Sequence, residues 1–317
     1  MKRLAILSLA GLLAISACKK DEDNTNTGNT SSDPIAGLVV KNVKKVLVVE
    51  NTGAWCQYCP NGAEIMIQLH GVFEDLVPIS IHNNDPLATP TAVNMELLFP
   101  TSRYPTIHVN GVALDNSGDA ENAATLATTE IASLGAAHRV TANDTAYRVD
   151  VKVEVFEDMN DREFFIQSFL LVDGVLAKDF GSGLDLRQTS SVPIVEKGPV
   201  GGNSYWAQDA AFVDAVPSVK SGDAFRHLDN VWSTGIGDTL STAYGLPLSA
   251  VNPFFTDFVT GDVFGSKYTP ITFYLMKQDF STIQYERLRA LTLIMELVYE
   301  DGNPVLKYTN AYVSDIN

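Results

Sequence analysis

The chain has 317 residues, of which 45% are hydrophobic, so it is long enough for two hydrophobic cores behind a short leader. Its 38 acidic residues outnumber its 22 basic residues, which gives a formal net charge of −16. A surface of this sign repels phosphate backbones, so the composition argues against nucleic-acid binding.

Residues 1–17 have the features of a signal peptide. The basic start Met1–Arg3 precedes an apolar stretch, Leu4–Ile15, which is shorter than the roughly 20 residues that a membrane-spanning helix needs. Small residues then lead to Cys18. This ending resembles the lipobox of bacterial lipoproteins, which implies that Cys18 is lipidated and becomes the first mature residue. The alternative is an ordinary secretory peptide followed by an incidental cysteine.

Residues 18–37 are predicted to form a flexible tether. The run Asn24–Asp33 is dominated by Asn, Thr, Ser and Gly, which cannot bury enough apolar surface to offset the entropy of ordering. The charged cluster Lys19–Asp23 resembles the surface-export signal of Bacteroidetes lipoproteins, although a solvated linker would look the same. These features predict a lipid anchor in the outer membrane, with the chain on the periplasmic or the cell-surface face.

Residues 38–136 are predicted to form an α/β domain. The β-branched run Lys44–Glu50 indicates a buried strand, and apolar residues at helical spacing follow Cys59. Further strands are expected at Leu76–His82 and Thr106–Asn110, and an alanine-rich helix is expected at Asp119–Leu134. Strand, helix, strand, strand and helix in this order are typical of an α/β layout.

Residues 137–317 are predicted to form a mainly antiparallel β-sandwich. Apolar and polar residues alternate along Ala146–Phe156, which is the pattern of a strand with one buried face. The stretch Asp179–Asn203 is rich in Gly, Ser and Pro and is expected to be a long loop, and no element is assigned to Tyr205–Thr269. Further strands are expected at Phe164–Val172, Ile271–Met276, Leu291–Tyr299 and Val305–Val313.

Cys56 and Cys59 lie between the first predicted strand and helix. A thiol at a helix N-terminus is stabilised as thiolate by unpaired N–H groups and by the helix dipole, so its pKa falls below about 8.5. Cys56 is therefore predicted to be a nucleophile that can be reached from outside. Cys59, about one turn further on, is predicted to resolve the mixed disulfide. Pro60 suits the first turn because it lacks an N–H group.

Glu50 lies six residues before Cys56, at the end of the predicted strand. A carboxyl buried beneath the cysteines has a raised pKa and is suited to accept the proton of Cys59 during exchange. The alternative is a partly exposed glutamate at a strand end. A Cys-x-x-Cys pair is also half of many zinc sites, but the chain has no second pair and its five histidines lack ligand spacing. Neither a metal nor a cofactor is therefore predicted.

Five residues resemble a pattern of the thioredoxin superfamily. They are Trp55, Cys56 and Cys59, together with Tyr104 and Pro105 immediately before a strand. The resemblance implies that Pro105 is in cis, abuts the disulfide and presents backbone to the substrate. It also supports a proton-carrying role for the glutamate six residues before the first cysteine. The residues expected to contact the substrate are Trp55, Gln57, Tyr58 and Tyr104.

A narrower resemblance involves both halves of the chain. The segments Glu50–Pro60 and Phe169–Gly174 are similar to those of thioredoxin-like outer-membrane lipoproteins of Bacteroidetes related to outer membrane protein twenty-eight. The resemblance implies an outer-membrane location, and that family has a poorly defined biochemical role. Thr145 and Thr239 lie in sequences that resemble the Asp-Ser/Thr-aliphatic O-glycosylation motif of Bacteroidetes.

Two hypotheses follow from these features. In the first, the protein is a membrane-anchored thiol–disulfide oxidoreductase that acts on exported cysteine-containing proteins or on a redox partner protein. In the second, the cysteines form a static disulfide, and the β-rich half binds a protein or a glycan at the cell surface. The reactivity of the Cys56–Cys59 pair distinguishes them.

Overall fold

The computed structural model describes residues 33–114, 122–125, 127–128, 130–177, 186–191, 194–200, 203–208, 219–220, 225–237, 244–252 and 257–317. For 194–200, 203–208 and 219–220 it describes the backbone. The fold is mostly β with mixed sheets. Residues 33–317 form one compact unit. The predicted signal peptide, Cys18 and most of the predicted tether lie outside the described residues, as does Thr239.

The largest sheet contains strands from both halves of the chain. Its described strands are β1 (Val46–Thr52), β2 (Leu76–His82), β3 (Thr106–Val109), β4 (Val112–Leu114), β7 (Glu163–Asp173), β14 (Asn230–Thr234), β15 (Leu246–Pro247), β18 (Arg287–Glu300) and β19 (Asn303–Asp315). Their order is β19-β18-β7-β14-β2-β1-β3-β4, and β15 pairs with β7. Strand β14 joins the halves, since it runs antiparallel to β7 and forms one parallel bridge to β2.

A smaller sheet packs on the β18–β7 part of the large one. It consists of β5 (Leu134–Ala142), β6 (Ala146–Val155), β16 (Val263–Phe264) and β17 (Ile271–Met276), with β6 paired to the other three. The predicted alternation in β6 is confirmed, because Val149, Val151 and Val153 are buried in the cluster between the sheets. Asp150 is also buried, however, and it accepts hydrogen bonds from Arg148 and Thr272.

Helices cover both faces of β1. The described helices are α1 (Cys59–Val72), α2 (Pro90–Glu96) and α3 (Leu248–Val251), and residues 122–125 are also helical. Val46 and Val48 of β1 pack in the cluster that includes α1, whereas Leu47 and Val49 pack in the cluster that includes α2. Because side chains alternate along a strand, Glu50 continues the face that lies under α1. This double burial explains the continuous apolar run of β1.

Several sequence-based expectations differ from the structure. The helix predicted to run to Leu134 is wrong there, because Leu134 begins β5 and packs in the core between the sheets. Pairing with β6 outweighs the helix propensity of the alanines. The expected boundary between residues 136 and 137 falls inside β5. The end of the predicted tether is held in place, since the Arg139 guanidinium donates to the carbonyls of Pro34 and Ala36.

Short strands occupy much of the stretch that was expected to be a loop or was left unassigned. The pairs are β8 (Val175–Leu176) with β13 (Arg226–His227), β9 (Thr189–Ser190) with β12 (Val219–Lys220), and β10 (Ile194–Val200) with β11 (Asn203–Gln208). In the described part of the chain, no helix has both the length and the apolar character needed to cross a membrane.

The side chain of Asn310 connects β19 to the chain entering β1 and to the start of β5. Its Oδ1 accepts from the Lys45 N–H (2.9 Å), and its Nδ2 donates to the carbonyls of Leu134 (2.7 Å) and Val43 (3.2 Å). Asn310→Ala removes these hydrogen bonds and leaves the buried Leu134 carbonyl unpaired, so we expect it to lower the free energy of unfolding by about 1–3 kcal/mol. Urea denaturation measures the loss. Asn303→Ala, at an exposed position in the same strand, should cost less than about 0.5 kcal/mol, and equal losses would contradict the prediction.

Candidate functional site

The two cysteines lie in the turn that connects β1 to α1, as the sequence predicted. They form a disulfide with their Cα atoms 5.4 Å apart. The Cys56 N–H donates to the Gly53 carbonyl (2.9 Å), and the Cys59 N–H donates to the Cys56 carbonyl (3.4 Å). Cys59 is the first helical residue and Pro60 the second, so Cys56 lies in the turn that leads into the helix and not within its first turn.

The expectation that Cys56 can be reached from outside is wrong for this oxidised state. Cys56 is 4% exposed and Cys59 is 1% exposed. Their neighbours are open to solvent, since Trp55 is 46% exposed and Tyr58 is 57% exposed. A second part of the chain is hydrogen-bonded to the loop that contains these cysteines and aromatic residues.

That part is the segment Leu186–Ser191, called here the 186–191 segment. The Thr189 N–H donates to the carbonyl of Ala54 (2.7 Å), and the Ser191 N–H donates to the carbonyl of Gln57 (2.9 Å). The sequence did not predict this contact because the composition of the region favours a loop. No local pattern indicates which distant backbone such a loop will meet.

A side chain of the same segment also bonds to the cysteine loop. The Gln188 Nε2 donates to the carbonyl of Cys56 (2.8 Å) and, more weakly, to that of Gly53 (3.3 Å). Gln188 is buried, so this amide exchanges its hydrogen bonds with water for bonds to the loop. Together with the two backbone bonds, the contacts reach four carbonyl oxygens of the turn.

Glu50 is buried against the first turns of α1, so the alternative of a partly exposed glutamate is wrong. A Cβ atom on Gly62 would lie 2.8 Å from Cδ of Glu50 and 3.0 Å from Cβ of Pro105, so the carboxyl, the helix and the proline meet here. Burial raises the pKa of Glu50 to about 8, although a hydrogen bond with Thr52 acts in the opposite direction. Its Oε1 has no hydrogen-bond partner among the described residues. Its role as a proton carrier stays a prediction.

The predicted cis peptide bond between Tyr104 and Pro105 is confirmed. The Tyr104 ring lies edge-on to the Trp55 indole, with their centroids 5.2 Å apart. The indole N–H donates to the carbonyl of Asn83 (2.7 Å), and the Tyr104 hydroxyl donates to the Glu96 carboxylate. Burial and Glu96 both raise the pKa of Tyr104 above its usual value. Two of the predicted aromatic substrate contacts, Trp55 and Tyr104, therefore lie against each other next to Pro105.

A buried histidine–carboxylate cluster lies behind the loop, and sequence analysis missed it because linear spacing separated its members. His82 Nδ1 is 2.7 Å from Asp85 Oδ2, which also accepts from the Ala54 N–H (2.7 Å). The His227 ring is 5.0 Å from that of His82, and its Nε2 bonds to the carbonyl of Leu186 (3.0 Å). The cluster thus contacts both the cysteine loop and the 186–191 segment.

Burial, hydrogen bonds and the interactions among its members determine the protonation of Asp85 and His227 in this cluster. Burial alone would raise the pKa of Asp85, but His82 and the hydrogen bonds lower it to about 2. Burial lowers the pKa of His227 to about 4, so the ring is neutral near pH 7. Its proton is on Nε2, because this nitrogen donates the hydrogen bond to the Leu186 carbonyl. Within the described residues, no group of three or more His, Cys, Asp or Glu side chains is arranged to hold a metal ion.

The other predicted site residues fall outside this region. Thr145 is exposed in the turn between β5 and β6, where its N–H and hydroxyl bond to the side chain of Asn143. Its glycosylation stays a prediction, as does the lipidation of Cys18. Gln57 and Tyr58 lie between the cysteines, and their contacts with a substrate are also untested predictions.

Neither a model of a known protein family nor a curated protein matches this sequence. Among solved structures, HBP35 of Porphyromonas gingivalis is similar at 13% identity, with a TM-score of 0.51, over 87% of this chain and 76% of that one. That protein combines a thioredoxin-like part with a β domain. A likeness at this identity concerns the fold alone. It supports the expected thioredoxin-like layout and leaves the narrower lipoprotein family untested.

Proposed function

We propose that the protein carries out thiol–disulfide exchange at Cys56 and Cys59, with Glu50 as the proton carrier. The observation behind the proposal is the buried Glu50 carboxyl, which lies under the helix turn that follows Cys59 and whose Oε1 has no hydrogen-bond partner among the described residues. An ionisable group in such a place costs stability. A purely structural disulfide has no use for it, whereas exchange needs a proton acceptor and donor beside the leaving sulfur.

The proposed exchange starts when a partner's thiolate attacks the Cys56 sulfur. The bond between the two sulfurs breaks, a mixed disulfide forms, and the Cys59 thiolate leaves and takes the proton of Glu50. A second partner thiol then gives up its proton and attacks the mixed disulfide, which releases Cys56 as a thiol and leaves the partner oxidised. When the pair starts reduced, the steps run in reverse and Glu50 accepts the proton of Cys59.

We place this activity in the cell envelope. The signal-peptide pattern and the lipobox resemblance at Cys18 support export and lipid anchoring. The similar fold in a Porphyromonas protein is compatible with the resemblance to Bacteroidetes lipoproteins. The proposed anchor lies in the outer membrane and faces the periplasm or the cell surface. The proposed partners are exported cysteine-containing proteins or a redox partner protein.

A trapping experiment tests the exchange. Cys59→Ser removes the resolving thiol, so we expect this variant to accumulate a mixed disulfide between Cys56 and a synthetic peptide with one activated cysteine. Cys56→Ser is the matched control, because it keeps one thiol but places it at the deeper position. Mass spectrometry quantifies the adducts. Equal labelling of the two variants, or labelling of neither, would rule out the assigned roles.

The low exposure of Cys56 favours a second candidate function. In it, the cysteines form a static disulfide held beneath the 186–191 segment, and the β-rich part binds a protein or glycan. Such a disulfide should have a reduction potential below about −300 mV, whereas an exchanging pair should have a higher one. Equilibration of the full chain with dithiothreitol buffers distinguishes these two values.

A further inference from the structure

The 186–191 segment is hydrogen-bonded to four carbonyl groups of the cysteine loop. We propose that this segment is a displaceable cover over the Cys56–Cys59 disulfide, and that an extended polypeptide displaces it by taking over its two backbone hydrogen bonds. The inference rests on the proposed function, because it names the substrate class of that site and the step that precedes exchange.

The geometry of the segment is that of a strand laid along the loop. In an extended chain, the N–H groups of residues two apart point to the same side. Those of Thr189 and Ser191 point to the loop, where they donate to Ala54 and Gln57. Ser190 instead pairs with Val219 of β12 on the opposite edge. The segment therefore already makes the contacts that an added strand makes when a peptide binds at a sheet edge.

The segment is held mainly by hydrogen bonds. Its buried side chains are Leu186, Gln188 and Ser190, of which Leu186 alone is apolar, while Arg187 is exposed. Hydrogen bonds can be exchanged for bonds to water or to another backbone at little net cost, whereas buried apolar area cannot. Segments with few buried apolar contacts open most readily. Leu186 packs in the hydrophobic core and anchors the segment, whereas the part from Gln188 to Ser191 can exchange its hydrogen bonds without exposing buried apolar side chains.

The groups that the cover contacts favour a polypeptide as the replacement. The acceptors at Ala54 and Gln57 are backbone carbonyls, which an extended chain of any sequence can match with alternate N–H groups. Trp55 and Tyr58 are exposed beside them and offer apolar surface to the side chains of that peptide. This kind of recognition suits unfolded or extended segments of exported proteins, whose backbone is unpaired.

Two substitutions at one position test the cover. Ser191→Pro removes the N–H that bonds to Gln57, and the extended conformation of Ser190 is compatible with a following proline. Ser191→Ala keeps that N–H and is the control. We expect a phosphine reductant to open the disulfide about tenfold faster in Ser191→Pro and at the wild-type rate in Ser191→Ala. Gln188→Ala, which removes the bond to Cys56, should also accelerate reduction and serves if the proline variant fails to fold.

Binding of a cysteine-free peptide tests the second half of the inference. A fluorescent peptide with the sequence of residues 186–191 should bind Ser191→Pro about tenfold more tightly than it binds the wild type or Ser191→Ala, measured by anisotropy on the full chain. If Ser191→Pro and Gln188→Ala both fold and both are reduced at the wild-type rate, the segment does not act as a cover. Faster reduction without tighter peptide binding would overturn displacement by a polypeptide. This peptide has no thiol, so its binding does not depend on exchange chemistry. A failure of exchange would show in the trapping experiment alone.

Discussion

Glu50→Gln is expected to remove a large falling contribution to the pH dependence of stability between about pH 4.5 and 8. Burial raises the pKa of Glu50 from 4.5 to about 8. Between these values the Glu50 side chain holds a proton in the folded state that it has lost in the unfolded state, so its contribution to the free energy of unfolding falls as the pH rises. Each pH unit in this window costs about 1.4 kcal/mol, and the full effect is on the order of 5 kcal/mol. Above pH 8 both states are ionised and the slope ends.

Urea denaturation at about pH 5, 7 and 9 measures this effect. Other buried groups, such as His227 and Asp229, also change protonation on unfolding in this range, so the informative quantity is the stability of the wild type minus that of Glu50→Gln. This difference should fall by about 1.4 kcal/mol per pH unit between the first and second values. Glu74→Gln is the control, because the side chain of Glu74 is exposed next to the end of α1, and it should keep the wild-type profile. If Glu50→Gln shows the same slope as the wild type, the carboxyl is not the buried proton-binding group described above.

The same variant separates exchange from a structural disulfide. A glutamine amide cannot accept or return the proton of Cys59, so we expect exchange with a single-cysteine peptide to slow by about a hundredfold. The inflection near pH 8 in the exchange rate should also disappear. A static disulfide predicts that Glu50→Gln changes stability alone, with no specific effect on reaction rate. The stability profile therefore tests whether Glu50 is the buried proton-binding group, and the rate profile tests whether Glu50 takes part in exchange.

The features that the sequence predicted are those with a local cause. The apolar run of β1 and the helix after Cys59 follow from residue patterns within one element, and both are confirmed. The cis bond at Pro105 came from a family resemblance that rests on a few residues near the loop. The burial of Glu50 was expected from its place at the end of the strand, six residues before Cys56. The strand, the helix and the buried glutamate need only neighbouring residues, whereas the cis bond needed the resemblance.

The features that the sequence did not predict depend on distant partners. Gln188 bonds to Cys56 over a separation of 132 residues, and its neighbours have a loop composition. His82 and His227 belong to different halves of the chain, so their spacing in the sequence concealed their contact. Strand β14 lies in a stretch to which no element was assigned, yet it joins the two halves in one sheet. Residue patterns identify the faces of elements but not which distant faces meet.

Gly62→Ala is expected to destabilise the protein although alanine favours helices more than glycine does. The added Cβ would lie 2.8 Å from Cδ of Glu50, closer still to Oε1, and 3.0 Å from Cβ of Pro105. The proline ring is rigid and the carboxyl is buried, so α1 must move away from β1 to make room. Overpacking of this kind typically costs about 1–3 kcal/mol, which exceeds the gain of up to about 1 kcal/mol in helix propensity.

Gly71→Ala makes the same substitution in the same helix at an exposed position. There only helix propensity acts, so we expect the free energy of unfolding to rise by a few tenths of a kcal/mol to about 1 kcal/mol. Thermal or urea denaturation of both variants should therefore give changes of opposite sign. Stabilisation by both would mean that Gly62 has free space around it. In that case the carboxyl of Glu50 could not lie against the helix, and its unusual proton affinity would lose its structural cause.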